Sequence, residues 1–222
     1  MTTVGAMQAG SRTEIGHVRT RNEDALLVDA PAGLFAVADG MGGHPAGDVA
    51  SAVAIRRLRE VLSGSDESAP ADVVASALNE AHAAVLAEAA AEPSQAGMGT
   101  TAVVAVVLDA HVWVGHVGDS RCYLLPGGGE LRAVTADHGA GGYLSQALGL
   151  ERGVSPDVVQ VPFEDGDRLL LCTDGLSNMV DDGLIEKIVR AADGAQDACD
   201  ALTAAALDAG GVDNVTTVVI DR

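Results

Sequence analysis

The sequence predicts an α+β fold: a four-layer αββα sandwich, with two antiparallel β-sheets face to face and helix pairs outside. Three observations carry this. The candidate elements run as strands, two helices, strands, two helices and a strand. Short apolar runs separated by tight turns indicate antiparallel pairing. Two long helices between strand groups suit a helical layer, and helices outside a pair of sheets bury every apolar face. The 222 residues are enough for one domain with a sizeable core, over residues 1–222.

In chain order, residues 11–18 form a first strand, followed by the polar cluster Arg19-Thr20-Arg21-Asn22-Glu23-Asp24. Strands at 25–28 and 34–38 flank the turn Pro31-Ala32-Gly33. Residues 45–62 have helical spacing, with Val49, Val53, Leu58 and Leu62 sharing a face. A polar linker spans 63–69, and an Ala-rich helix follows at 70–91, with Pro70 near its start and Pro93 beyond its end. Strands are expected at 100–108, 111–117, 122–125 and 131–135, with Pro126-Gly127-Gly128-Gly129 as a hairpin turn. Residues 143–150 suggest a short helix, and 158–161 and 168–173 are strands. Helices at 184–191 and 195–207 precede a last strand at 215–220.

The chemistry concentrates at strand ends. Phe35-Ala36-Val37-Ala38-Asp39-Gly40 is an apolar run that breaks into an acid and glycines, and Leu169-Leu170-Leu171-Cys172-Thr173-Asp174-Gly175 repeats the pattern. Asp213-Asn214 stands at the mouth of the run beginning at Val215. Taken singly, Asp-Gly is a common turn pair. Three such acids at the ends of buried strands point instead to one hard-cation site, since a buried carboxylate is costly unless paired or metal-bound. Gly40 can offer its carbonyl, and Glu23 and Asp24 can add a ligand or hold coordinated waters. Oxygen donors favour Mg²⁺ or Mn²⁺ over Zn²⁺. Two ions sharing a carboxylate would acidify and orient a water as nucleophile. The planar fork of Arg19 suits a phosphate dianion. Cysteine-based phosphate chemistry and a Walker-type glycine loop have no matching pattern.

Six motifs occur in one order: the 19–24 cluster, Ala38-Asp39-Gly40-Met41-Gly42-Gly43-His44, Gly97-Met98-Gly99-Thr100-Thr101, Val117-Gly118-Asp119-Ser120-Arg121, Thr173-Asp174-Gly175-Leu176 and Asp213-Asn214-Val215-Thr216. On these, the chain resembles the metal-dependent Ser/Thr protein phosphatases of the 2C type, in their bacterial single-domain form. The resemblance implies a helix-flanked β-sandwich with a dinuclear Mn²⁺ or Mg²⁺ centre at one end. It implies that Asp39 bridges both ions, that Gly40 gives its carbonyl to one, and that Asp174 and Asp213 hold the other. Glu23 and Asp24 match an acidic pair beside the ligands, Arg19 a phosphate-binding arginine, and Asp119 an acid that helps hold a third ion. The implied substrates are phosphorylated proteins of Ser/Thr kinases.

Two departures stand out. Met41 occupies the position of a histidine proposed as general acid in some relatives, and His44 is not the matching residue. After Asp137-His138, where relatives carry a flap, Gly139-Ala140-Gly141-Gly142-Tyr143-Leu144-Ser145 leads almost directly to Gln146. The flap near 138–145 is largely missing, which predicts an open site and a weak or absent third ion at Asp119. It also leaves two rivals: a regulatory module on the same fold that turns over poorly, and a phosphatase of small metabolites.

The formal net charge of −19 argues against nucleic acid or an anionic membrane as partner. Residues 1–10 lack the basic end and apolar centre of a leader, and no stretch is clean enough to span a bilayer. Cys122, Cys172 and Cys199 have no metal-ligand spacing, which suits a reduced compartment. The expectation is a cytoplasmic protein.

Overall fold

In the computed structural model, residues 7–41, 46–63, 69–140 and 143–222 are described; residues 42–45 with His44, most of the expected linker, and residues 141–142 lie outside them. The elements are β1 (Gln8–Glu14), β2 (Asp24–Asp29), β3 (Leu34–Asp39), α1 (Gly47–Leu62), α2 (Pro70–Ala91), β4 (Ala102–Leu108), β5 (His111–Val117), β6 (Arg121–Leu125), β7 (Arg132–Ala133), β8 (Gly139–Ala140), β9 (Tyr143–Leu144), β10 (Asp157–Pro162), β11 (Arg168–Cys172), α3 (Asp174–Ser177), α4 (Asp182–Ala191), α5 (Ala195–Asp208) and β12 (Val215–Asp221).

Two five-stranded antiparallel sheets form the sandwich, one in the order β1-β12-β11-β6-β7 and the other β10-β5-β4-β3-β2. The αββα expectation therefore holds. The runs that read as continuously apolar are strands buried on both faces. In β3, Phe35 and Val37 join the core between the sheets, with Leu169, Leu171, Val218 and Ile220 opposite. Their neighbours Leu34 and Ala36 face the other way, into the core under α1 and α2. Leu170, Cys172, Val215 and Val219 pack under α4 and α5. Period-two alternation thus feeds three apolar layers from the same residues.

Close helix–sheet approach depends on a few small residues. A Cβ on Gly10 of β1 would lie 2.4 Å from the backbone nitrogen of Gln196 in α5. One on Gly115 of β5 would lie 2.4 Å from Val74 Cγ1 in α2.

Two expectations are corrected. The first strand runs over Gln8–Glu14 rather than 11–18, because its rungs pair with β12 from Gln8↔Asp221 to Glu14↔Val215. Beyond it, Gly16 takes φ +79°, and His17 donates its backbone N–H to Gly211. Residues 143–150 do not form a helix. Tyr143 and Leu144 pair with Gly139 and Ala140, and Leu148 bridges Thr100. The N–H groups of this segment bond across to other strands, so a local helix has no claim on them.

Gly10→Ala is expected to push α5 off β1. Overpacking of this kind costs about 1–3 kcal/mol, and at about 2–4 °C per kcal/mol for a chain of this size the thermal midpoint falls by several degrees. An unchanged midpoint in a melt followed by circular dichroism would show that the contact is not needed.

Candidate active site

The ends of both sheets that face the same way carry the acids. Asp39 closes β3, and Asp24 opens β2 directly opposite it in the ladder. Asp174 follows β11, Asp213 precedes β12, and Asp119 lies in the β5–β6 turn. They come from both sheets and converge at one end of the sandwich. There Asp39, Gly40, Asp119, Asp174 and Asp213 line a cavity of about 680 Å³ together with Arg19.

The backbone around Asp39 is tightly specified. Its N–H donates to Thr101 Oγ1 at 3.0 Å, and its carbonyl accepts from Thr101 N at 2.9 Å and from Thr100 Oγ1 at 2.8 Å. Gly40 donates its N–H to the Glu23 carbonyl at 3.0 Å. A Cβ on Gly40 would lie 2.1 Å from the Gly47 carbonyl oxygen, so only glycine lets this loop pass under the start of α1. A Cβ on Gly175 would meet the Asn214 carbonyl at 1.9 Å, which explains the glycine after Asp174.

Glu23 and Asp24 stand behind the cavity and do not line it. Glu23 Oε1 lies within 2.9 Å of where a Gly47 Cβ would be, at the N-terminus of α1, where a helix end favours an anion. Asp24 Oδ2 accepts from Thr216 Oγ1 of β12 at 2.6 Å and from Thr173 Oγ1, just beyond β11 of the same sheet, at 2.9 Å. Asp24 therefore ties the two sheets together at the site. Its Oδ1 is buried with no partner.

The electrostatics follow from this crowding. Burial pushes the Asp24 carboxyl up to about 7, against the two threonine hydroxyls that favour its ionised form. Burial, then Asp24 and Asp174, hold Asp39 well above its ordinary range. Asp174 is raised by burial although it accepts a hydrogen bond from the Asp39 carboxyl. Asp119 is pushed up to about 6 by burial and by Asp174. Burial and mutual repulsion favour the protonated forms of these acids. An orphaned carboxylate oxygen, like charges packed together and an all-oxygen donor set are what hard divalent ions fit.

The cations at the site are unequally occupied. Arg19 Nη2 donates to Asp213 Oδ2 at 2.7 Å. Arg121 grips Asp137 through Nε at 2.9 Å and Nη2 at 2.7 Å. The Arg121–Asp137 pair, Thr101, Asn178, Tyr143 and Arg152 line the cavity too; the sequence reading gave none of them a role, although Thr101 and Arg121 stand in its motifs. For Asn178 a signal existed: it lies four residues after Asp174, and its Nδ2 donates to Asp174 Oδ2 at 3.0 Å across α3. The thiols play no part. All three are buried, with Cys172 pushed up to about 12 and Cys199 to about 11, chiefly by burial.

A second cluster lies behind the Asp119 turn. His138 receives the Gly118 N–H on Nδ1 at 3.3 Å, and its own backbone N–H donates to the Gly118 carbonyl at 2.9 Å. Nε2 is then the protonated nitrogen and faces Asp157 Oδ2 at 3.2 Å. His116 stacks on His138 with ring centroids 4.4 Å apart. With His116 and Asp157, His138 could surround an ion. The tautomer argues against it, because a ligating Nε2 would turn an Nδ1–H against the Gly118 N–H. The cluster clamps the turn that carries Asp119.

Oxygen donors from two sheet ends, with arginines beside them, define a class of protein built to hold hard cations next to an anionic group. The protein phosphatase 2C family model matches residues 14–208, and the chain belongs to that family. It is 34% identical over 245 residues to the serine/threonine phosphatase stp of Listeria monocytogenes, covering 97% of this chain and 96% of that protein. It is 36% identical over 238 residues to the serine/threonine protein phosphatase PstP of Mycobacterium tuberculosis, covering 97% of this chain and 45% of PstP. The crystal structure of the PstP catalytic domain with two manganese ions superposes with a TM-score of 0.88 at 34% identity, over 97% of each chain.

The raised carboxyls give a sign-definite test in metal-free protein. A folded-state value above the unfolded one favours folding while the group is neutral. For Asp24 that contribution is complete below the ordinary value of 3.8 and is lost as pH rises through about 7. Metal-free protein in excess chelator should therefore melt lower at pH 8 than at pH 5, and Asp24→Asn should flatten the decline. Parallel curves for the two proteins would remove Asp24 from this account.

Proposed function

We propose that the chain hydrolyses phosphoserine and phosphothreonine in proteins at a dinuclear Mn²⁺ or Mg²⁺ centre, with residues 1–222 acting as one catalytic domain in the cytoplasm. The observation that carries this reading is the convergence of Asp39, Asp174 and Asp213 on one cavity with Arg19 at its edge. Asp39, the carbonyl of Gly40, Asp174 and Asp213 would hold the ions. Two divalent ions bound there supply an acidified water and offset the charge on the phosphoryl group.

The remaining roles belong to the chain. Asp24 holds the two sheets in register behind the centre, and Glu23 holds the loop of Gly40 to α1. Arg19 orients the phosphate dianion through its fork. Asp119 stands in the same cavity and is the residue for a third, weaker ion, in a turn clamped by His138. Met41 lines the cavity and has no proton to offer, so no general acid is assigned. The substrates are products of Ser/Thr kinases. Among the described residues no helix is long and apolar enough to cross a membrane.

Asp39→Asn and Asp174→Asn should each cut turnover of a phosphothreonine peptide by at least about 100-fold, as should excess chelator on the wild type, because the nucleophile depends on the ions. Full turnover in metal-free protein would end the reading. A metabolite panel at equal concentration separates a protein phosphatase from a small-molecule one. Arg19→Ala should raise KM without loss of a metal ligand: calorimetric Mn²⁺ affinity should not fall, since the substitution also frees Asp213. A lost calorimetric signal would reassign Arg19 to the metal centre.

A further inference from the structure

The chain has one Trp, two Tyr and two Phe. Phe35, Phe163 and Tyr123 are buried, and Trp113 is half-buried. Tyr143 alone is exposed, at 85%, and it stands on the wall of the active-site cavity. It is carried there by the β8–β9 ladder, in the stretch where the sequence reading finds the flap largely missing. An aromatic ring left in water at the rim of a site is a ready contact for a polypeptide. Such rings offer a large apolar face at little entropic cost, and they dominate recognition surfaces.

Arg152 is the second unpartnered group on this wall. Of the three guanidinium groups lining the cavity, Arg19 is engaged by Asp213 and Arg121 by Asp137. Arg152 is exposed and has no ion pair or hydrogen bond among the described residues. In a chain of net charge −19, a cation free of the surrounding acids is available to an anion from outside. Arg152, Glu151 and Leu150 also line a second cavity of about 610 Å³, together with Leu86, Ala89 and Ala96. A chain leaving the phosphate pocket in this direction meets Arg152 first and an apolar hollow next.

We propose that Tyr143 and Arg152 are specificity residues for the polypeptide that flanks the phosphoresidue. Tyr143 packs against the substrate chain. Arg152 selects substrates with an anionic group beside the phosphoresidue, either a carboxylate or a second phosphate. The apolar hollow takes a small aliphatic side chain beyond it. The inference rests on the phosphatase reading above and names the substrate class of that site.

The test compares kcat/KM in Mn²⁺ for p-nitrophenyl phosphate and for phosphothreonine peptides of one core sequence. The flank is neutral, glutamate or a second phosphothreonine. Wild type should favour the two anionic flanks by about threefold or more, as an exposed ion pair allows. The order of those two arms tells carboxylate from phosphate. Arg152→Glu should invert the preference, and added salt should weaken it in the wild type. Tyr143→Ala should lower the ratio of peptide to p-nitrophenyl phosphate kcat/KM by about tenfold, through KM. An unchanged flank preference in Arg152→Glu, or a ratio within twofold of wild type in Tyr143→Ala, would overturn the proposal. Wild type that hydrolyses p-nitrophenyl phosphate but no phosphopeptide would overturn it as well. Failure on every substrate would instead sink the phosphatase reading beneath it.

Discussion

Asp24 and Asp39 face each other across the first rung of the β2–β3 ladder, with Asp174 and Asp213 brought against them from the second sheet. Putting like charges together out of water is unfavourable, and each carboxyl responds by taking up a proton or by finding donors. The two sheets hold the groups there. Thr173 and Thr216 reach across to Asp24, and Asn214 donates Nδ2 to the carbonyls of Ile15 and Arg21 at 2.9 Å. Its Oδ1 accepts the Glu23 N–H at 2.8 Å. One asparagine thus fastens the polar cluster after β1 to the start of β12. The sandwich core positions the acids, and the threonines and asparagine at its end keep the sheets from sliding apart under their repulsion.

Much of this was legible in the residues, for a physical reason. A strand buried on both faces must be apolar throughout, and a charged residue at its end followed by glycine has few structural uses. Asp39, Asp174 and Asp213 could be found that way. Helix α2 opens on Pro70, a residue suited to the first helical position, and Pro93 follows its end, so its limits were visible as well. β1 was placed three residues late because an edge strand alternates weakly and Gln8 to Arg12 carries no run. The helix expected near residue 145 failed because Leu148 has a better partner in Thr100 than any local turn offers.

What stayed hidden were residues whose role is set only by position in space. Asn178 was readable only if α3 was, since its i+4 spacing from Asp174 means something only once four residues wind into that single turn. Arg121 and Asp137 are sixteen positions apart and meet because β6 and β7 pair. Tyr143 and Arg152 are joined by one cavity wall that no spacing announces. These are long-range facts, and local periodicity does not carry them.

The engagement of Arg19 links the two halves of the site. Asp213 Oδ2 accepts from Arg19, and Oδ1 accepts the N–H of Asn214 at 2.8 Å. Both oxygens of Asp213 are therefore in use. A positive charge drawn to Asp213 competes with the guanidinium for Oδ2 and repels it. Under the proposed function the guanidinium, still lining the cavity, would then be available to an incoming phosphate. Linkage would make the effect reciprocal: a phosphate that draws Arg19 away would leave Asp213 Oδ2 to a cation. The 2.7 Å ion pair between residues 194 positions apart would then couple the two binding events.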